Sequence, residues 1–450
     1  MNVTIIGTGY VGLTTGVCLA YLGHSVCCLD TDESKIKALE AGRIPIYEPH
    51  LAEIMEEASP NLRFTTSYEG AIPNADVVFV AVGTPTAADG NPDLRYLRAA
   101  ALTIGEHLKK PGTVVVNKST VPVGSGNWVR SLVEEKGNGM RFAVASNPEF
   151  LREGSALHDS LYPDRIVVGA DESWALETMY RLYRPLIEQS FSAPSFLRRP
   201  EGLGAVPLVA TDLASAELIK YAANAFLALK ISYINEIGQL AERVGADIHQ
   251  VAKGIGLDTR IGTRFLQAGL GWGGSCFGKD TAALITTAQE YNLPMPIVGA
   301  ARQVNQRVRL RSVEKLQQEL KVLKGCTIAL LGLAFKPHTD DLRDAPALEI
   351  ASKLMLRGAK VKAHDPVAMD RAKKQAGDVG ILFCDDAESA IRDCDAVMLV
   401  TEWPDYQDLD WAAIAPTMKR KVVFDGRHYL DAKRMAAAGL KLIPMHGGAE

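Results

Sequence analysis

The chain has 450 residues, 47% of them hydrophobic, with a formal charge of −4. That is too long for a single core and enough for two or three domains, and so small a net charge gives no electrostatic case for nucleic acid or an anionic membrane. Seven cysteines, none in a CxxC pair, point to thiols in a reducing, cytoplasmic compartment, and no metal site is implied.

The segment Met1-Asn-Val-Thr-Ile-Ile-Gly7 lacks a basic leader and reads as a buried strand. Apolar runs such as Asp76–Val82 are strand-sized, far short of a membrane span. After a strand over 2–6, Gly7-Thr-Gly-Tyr-Val-Gly12 opens an apolar helix to about Leu22. A second strand, His24–Leu29, ends at Asp30. A GxGxxG turn between strand and helix, followed by a strand and an acid, is the dinucleotide fingerprint. Gly7, Gly9 and Gly12 let the backbone close on a pyrophosphate held by the helix N-terminus. Asp30 suits the adenosine ribose diol and repels the extra phosphate of NADP, so the expected cofactor is NAD.

Strands over 77–82 and 113–117 end in Gly83-Thr-Pro85 and Lys118-Ser-Thr-Val-Pro122. Thr84, Ser119 and Thr120 are candidate contacts there, and equally candidate helix caps. A strand over 142–145 leads to Asn147-Pro-Glu-Phe-Leu-Arg-Glu-Gly154, where Glu149 and Glu153 flank Arg152 in either surface ion pairs or a binding loop. From Thr211 or Asp212 to about Val244 the periodicity predicts one helix of about 45 Å, long enough to join lobes and support a subunit contact. Glu217, Lys220 and Asn224 share a face of it, and Lys220 sits among Tyr221, Ala222, Ala223 and Phe226, a poor setting for an unpartnered charge.

A short helix and loop over 246–262 carries Lys253, Asp258 and Arg260. The stretch Phe265-Leu-Gln-Ala-Gly-Leu-Gly-Trp-Gly-Gly-Ser-Cys-Phe-Gly-Lys-Asp280 follows. Five glycines there admit close backbone approach. Cys276 beside Lys279 is either a reactive thiol or an inert one in a structural turn. Asp280 is expected to start or cap a helix to about Tyr291. A further helix over 297–320 bears Arg302, Arg307, Arg309 and Arg311, expected as a solvated face. At Lys324 the strand-first pattern restarts, with strands over 327–331, 360–364, 396–400 and 421–424 and a helix over 346–356. Its first turn, Gly332-Leu-Ala-Phe-Lys-Pro337, lacks GxGxxG and suits a nucleotide-bearing substrate better than a dinucleotide. Gly447–Glu450 is expected to be a loose tail.

The fold class predicted is therefore α/β: two Rossmann-like α/β domains joined by a long central helix, with a helical dimerisation region. The expected divisions are 1–200 for the NAD-binding domain, 201–320 for the central helical, dimerisation and catalytic domain, and 321–450 for the second α/β domain. A thiolate could attack an aldehyde, give a thiohemiacetal, and yield a thioester after a second hydride loss. Lys220 and Asn224 could stabilise the oxygen that carries charge at each stage. Such a set predicts oxidation of a primary alcohol to an acid with two NAD consumed.

Gly7–Gly12, Gly83-Thr-Pro85, Ser119-Thr-Val-Pro122, Asn147–Gly154, Lys220-Tyr-Ala-Ala-Asn224, Gly273–Asp280 and Gly332–Pro337 together resemble the nucleotide-sugar 6-dehydrogenases, the UDP-glucose/GDP-mannose dehydrogenase family, most nearly its UDP-glucose branch. The likeness runs in the same order over nearly the whole chain. It implies Cys276 as covalent nucleophile, Lys220 and Asn224 at the reacting oxygen, Asp280 in proton transfer, and Thr120 and Glu149 organising water and base chemistry. Cofactor contacts implied are Gly7, Gly9, Tyr10, Val11, Gly12, Asp30, Lys35, Thr84, Thr120, Glu153, Lys279 and Arg343. Substrate contacts implied are Glu149, Phe150, Leu151, Arg152, Glu153, Lys220, Asn224, Lys253, Arg260, Phe265, Gly273, Phe335, Lys336 and Arg427.

The resemblance further implies residues 321–450 as the domain for the UDP moiety, UDP-glucose as substrate, and UDP-glucuronate as a product for polysaccharide synthesis. It also implies a homodimer or higher homo-oligomer in which Arg260 reaches the partner's site. Relatives acting on UDP-N-acetylmannosamine or GDP-mannose share the NAD and cysteine motifs and remain alternatives. So do a two-electron dehydrogenase of the 6-phosphogluconate or 3-hydroxyacid type, which Cys276 argues against, and a non-catalytic nucleotide-sugar binder.

Overall fold

Strands built almost wholly from Val, Ile, Ala and Phe must be covered on both faces, and the chain meets that demand with two mainly parallel sheets. The computed structural model describes residues 1–85, 92–377 and 380–447, and forms two units, Met1–Ala223 and Asn224–Glu450. Of the tail expected at 447–450, residues 448–450 lie outside the described residues.

In the first unit the strands are β1 (Asn2–Ile6), β2 (Ser25–Leu29), β3 (Leu62–Thr65), β4 (Val77–Val80), β5 (Thr113–Asn117), β6 (Phe142–Ser146), β7 (Ile166–Ala170) and β8 (Leu208–Thr211). Their order is β3-β2-β1-β4-β5-β6-β7-β8, parallel except where β6 meets β7. Central β4 and β5 are buried at every residue, whereas edge strands β3 and β8 are partly exposed throughout. Strand order reverses between β1 and β4, so the turns after these strands flank the crevice where such sheets bind ligands.

The second unit holds β9 (Thr327–Leu331), β10 (Lys360–His364), β11 (Ile381–Phe383), β12 (Ala396–Leu399), β13 (Val422–Asp425) and β14 (Lys441–Pro444). All are parallel, in the order β11-β10-β9-β12-β13-β14, with a reversal between β9 and β12. Apolar clusters line both faces of this sheet, one around Leu330 and Phe424, the other around Trp411 and Tyr406.

The predicted long helix is one element, Leu213–Val244, of 32 residues, about 48 Å of helix. Its first eleven residues belong to the first unit and the rest to the second. Two expectations are corrected. Asp280 neither starts nor caps its helix. That helix is Phe277–Glu290, with Cys276 at the N-cap position and Asp280 buried in the first turn. The arginines of the helix Pro296–Leu320 do not form a solvated face. Arg307 is exposed, but Arg309 is buried, and Arg311 turns inward to Glu242.

Candidate active site

In the first unit the turn after β1 is built for close approach. A Cβ on Gly12 would lie 1.9 Å from the Gly7 carbonyl oxygen, so only glycine lets the helix Tyr10–Tyr21 start this near the strand. At Gly9 a Cβ would meet nothing within 4 Å, which leaves its backbone open to a pyrophosphate. Asp30, at the end of β2, accepts from the Thr8 N–H and hydroxyl, each at 2.8 Å, and from the Asp32 N–H at 3.0 Å. Lys35 stands 3.7 Å away. Burial raises the Asp30 carboxyl, but these hydrogen bonds and Lys35 outweigh it and hold it below the usual carboxylate range. A carboxylate has about four acceptor positions, so about one, on Oδ1, remains for a ribose hydroxyl. The residues present therefore fit NAD.

Thr84 donates to the Thr120 carbonyl at 3.0 Å and Ser119 to the Val82 carbonyl at 2.7 Å, tying together the turns after β4 and β5. The hydroxyl of Tyr10 is spent on Glu48 and accepts from the Gly154 N–H at 2.5 Å. Any contact of Tyr10 with cofactor would thus come from its backbone or ring. Glu48, which accepts from Gly154 and Leu157 N–H groups, is an anchor that no sequence motif signalled.

Elsewhere in this unit Glu149 and Lys220, 7% and 3% exposed, form an ion pair at 2.9 Å. Leu151 N–H donates to the other Glu149 oxygen at 2.6 Å. Burial pushes the Glu149 carboxyl up, yet Lys220, the Leu151 amide and Lys118 more than offset it, so Glu149 stays below the ordinary range and ionised. Lys118 is also buried, donating to Asn147 Oδ1 at 3.0 Å. Burial brings its ammonium down to about 8, against the opposing charge of Glu149. The sequence pattern after β5 points to Ser119 and Thr120, whereas the burial of Lys118 against Asn147 is visible only in the fold. The Arg165 guanidinium lies 3.6 Å from the centre of the Phe150 ring. Arg152 leaves this group for Asp159, at 2.6 Å.

The second unit gathers the thiol and its neighbours. Asn224 Nδ2 donates to Asp280 Oδ2 at 2.6 Å, and Lys279 pairs with Asp280 Oδ1 at 2.6 Å. Asp280 is fully buried. Cys276 is half-buried, with the Ser275 hydroxyl 3.5 Å from its sulfur. Cys276 occupies the N-cap position of the helix Phe277–Glu290, the end of a helix that favours an anion. The other six cysteines are buried, and burial raises Cys18 and Cys394 to about 12.

Around the cysteine loop, a Cβ on Gly273 would lie 2.4 Å from the Asp344 carbonyl oxygen, and one on Gly274 2.9 Å from the Phe335 ring. Gly274 N–H donates to the Arg343 carbonyl at 2.9 Å. Arg427 donates to Gly271 and Val400 carbonyls at 3.1 and 2.7 Å. Lys336 lies 5.6 Å from the Phe335 ring centre, and Phe265, at φ 66°, packs edge-on to Phe277. These predicted residues therefore cluster. Lys253 is exposed, and exposed Arg260 pairs with Asp258 at 2.6 Å. Arg343 is exposed too and pairs with Asp341 at 2.8 Å. Among the described residues no group of three or more His, Cys, Asp or Glu is disposed to hold a metal, and no helix is long and apolar enough to cross a membrane.

A glycine turn with an open acidic partner, a second nucleotide-type sheet and a thiol at a helix start define a dinucleotide-dependent dehydrogenase of the two-sheet type. Family models agree segment by segment. Residues 1–187 match the NAD binding domain of the UDP-glucose/GDP-mannose dehydrogenase family, 214–307 its central domain and 329–432 its UDP binding domain. The chain belongs to the UDP-glucose/GDP-mannose dehydrogenase family.

It is 46% identical to UDP-glucose 6-dehydrogenase TuaD of Bacillus subtilis, over 97% of this chain and 91% of that protein. It is 45% identical to UDP-glucose 6-dehydrogenase of Rhizobium meliloti, over 98% of each. Among solved structures, a UDP-glucose dehydrogenase from Pyrobaculum islandicum superposes with a TM-score of 0.89 at 41% identity, covering 99% of this chain and 97% of that one.

Proposed function

We propose that this chain converts UDP-glucose, two NAD and water into UDP-glucuronate, two NADH and three protons. The observation that carries this is Cys276 at the N-cap of its helix, half-buried beside the Asn224–Asp280–Lys279 group. A simple alcohol dehydrogenase has no use for a thiol so placed. NAD, when bound, accepts one hydride in each oxidation.

The protein's own groups do the rest. Lys220, held by ionised Glu149, stabilises the oxygen of C6 as it gains negative charge. Once C6 is an aldehyde, the Cys276 thiolate adds to it, forming a C–S bond and an oxyanion. After the second oxidation the adduct is a thioester. Water then adds to the carbonyl carbon, the C–S bond breaks, and sulfur leaves as thiolate with the acid released. Asn224 and Asp280, bonded to each other, orient the polar side of this chemistry. Glu149 and Thr120 position the water. Glu149's low carboxyl pKa fits a standing anion that orients Lys220 rather than a base poised near neutrality.

Glucose, rather than an N-acetylated sugar or GDP-mannose, is supported by the 46% and 45% identity to proteins named UDP-glucose 6-dehydrogenases. The test is initial rates with UDP-glucose, UDP-N-acetylmannosamine and GDP-mannose. A preference for either of the latter would refute the assignment. A homodimer is supported by Phe226, Tyr233, Leu240 and Val244, all more than half-exposed or nearly so along the long helix at spacings of seven, seven and four. Light scattering of the purified chain tests it. Seven thiols, with no disulfide among the described residues, support a reducing, cytoplasmic setting.

A further inference from the structure

The helix Pro296–Leu320 carries no residue so far assigned to binding or chemistry, yet two of its buried polar side chains are spent on the cysteine loop. Asn305, 4% exposed, grips the Trp272 peptide from both sides. Its Oδ1 accepts from the Trp272 N–H at 2.8 Å, and its Nδ2 donates to the Trp272 carbonyl at 2.9 Å. The preceding residue must be glycine for this to fit. Gly271 has φ +82°, and a Cβ there would lie 2.1 Å from Asn305 Oδ1. One turn further along, Arg309, also 4% exposed, donates through Nη2 to the same Trp272 carbonyl at 2.6 Å and to the Asp344 carbonyl at 3.2 Å. Its Nη1 reaches the Asp344 and Glu349 carboxylates at 2.8 and 2.6 Å. The loop carrying Cys276 and the turn carrying Arg343 therefore hang from one guanidinium.

Stability alone is a poor reason for this arrangement. Apolar side chains of similar volume usually serve a fold as well as a buried ion pair does. Arg309 also leaves its Nε buried without a partner, which costs about 1–3 kcal/mol. A planar fork instead supplies geometry, fixing two backbone segments at a set separation. Cys276 lies four residues beyond Trp272, where the helix Phe277–Glu290 begins. A displacement of about 1 Å there can cost on the order of a hundredfold in rate.

We propose that Asn305 and Arg309 are positioning residues for the second oxidation, holding the Trp272 peptide against the 343–344 turn and so setting where Cys276 enters its helix. This rests on reading Cys276 as the nucleophile. The first oxidation needs no sulfur, so a loosened brace weakens the second step more than the first.

The test compares full-length wild type, Asn305→Asp, Arg309→Lys and Cys276→Ala. Asn305→Asp keeps size and one acceptor but places oxygen against the Trp272 carbonyl, and Arg309→Lys keeps the charge but loses the fork. Two readouts are taken: NADH formed per UDP-glucose consumed, with semicarbazide present to capture released aldehyde, and the pH profile of iodoacetamide alkylation at the Cys276 peptide. Both brace variants are expected to drop from two NADH per sugar toward one, with aldehyde captured. The alkylation midpoint is expected to move upward by about half a pH unit or more as the helix start loosens around the thiolate. Equal loss in both oxidations, or an alkylation profile matching wild type, would overturn the proposal. If Arg309→Lys does not fold, Asn305→Asp decides alone. Glucuronate formation by Cys276→Ala would instead sink the nucleophile reading itself, so the two failures are distinct.

Discussion

The two sheets solve the same local problem in opposite ways. In each, an aspartate at the end of the second strand accepts N–H groups from the turn after the first strand, Asp30 from Thr8 and Asp365 from Leu333 and Ala334. Asp30 adds only the Thr8 hydroxyl and the Asp32 N–H, at 9% exposure, and keeps about one acceptor position unspent. Asp365 goes on to accept from Trp403 Nε1 and from the Val367 and Ala368 N–H groups, and is 1% exposed. The first turn keeps an acceptor open, which we propose takes a ribose hydroxyl, and the second is a sealed joint. Descent from a common pattern is compatible with two functions, because what a carboxylate can bind depends on how many donors the protein has already given it.

That contrast can be broken most severely at the second unit's thiol. Cys276→Ala is expected to lower glucuronate formation by roughly 10⁴-fold or more, while NAD titrated against the variant binds as to wild type. A parallel loss of NAD binding would merge two roles that the structure keeps on separate units. Next comes the sealed joint. Asp365→Ala strands five donors, four of them in buried contacts, and is expected to destabilise the protein by about 3 kcal/mol or more, read as a lower urea midpoint with unchanged NAD affinity. Asp30→Ala should do the reverse. It should weaken NAD by about 1.5–3 kcal/mol, the range for hydrogen bonds to charged groups, and narrow the preference over NADP, with a smaller change in the urea midpoint. Equal cofactor effects from both aspartates would erase the distinction.

A smaller effect per side chain concerns pH. His428 and His446 stack in the second unit at 5.8 Å, with His249 4.7 Å from His428. Burial, then His249 and Lys315, lowers His428 to about 4, with Asp247 opposing. Burial, then His428, Lys315, Arg311 and His249, lowers His446 to about 3. Imidazoles in the unfolded chain protonate near 6.5, so the unfolded state binds more protons below that pH. Stability is then full above about pH 6.5 and falls as pH drops toward 4. Between pH 7 and pH 5 the loss should be about 2 kcal/mol for each imidazole, about 4 kcal/mol for the pair, and His428→Phe should roughly halve it. A urea midpoint constant over that interval would contradict the depressed imidazoles.

Much of this was legible in the chain because local rules governed it. The GxGxxG turn, the acid after β2 and the apolar central strands each announce themselves within a short window. So does the cysteine loop, where glycines must make room for neighbouring backbone. Edge strands β3 and β8 escaped because partial exposure leaves them without a continuous apolar run. Arg309 was misplaced on a solvated face because its carboxylate partners, Asp344 and Glu349, lie 35 and 40 residues away. Periodicity reports which face a residue occupies, but not the distant acid that lets a cation be buried there. Lys118 escaped for the same reason, since Asn147 meets it only when β5 and β6 pair.

The most direct test of the account is the amount of NADH released for each UDP-glucose consumed at completion by the wild-type protein. Two NADH, with glucuronate as the sole sugar product, is the result expected of a thiol that carries the half-oxidised sugar. One NADH with free aldehyde accumulating would contradict it and leave an ordinary two-electron dehydrogenase.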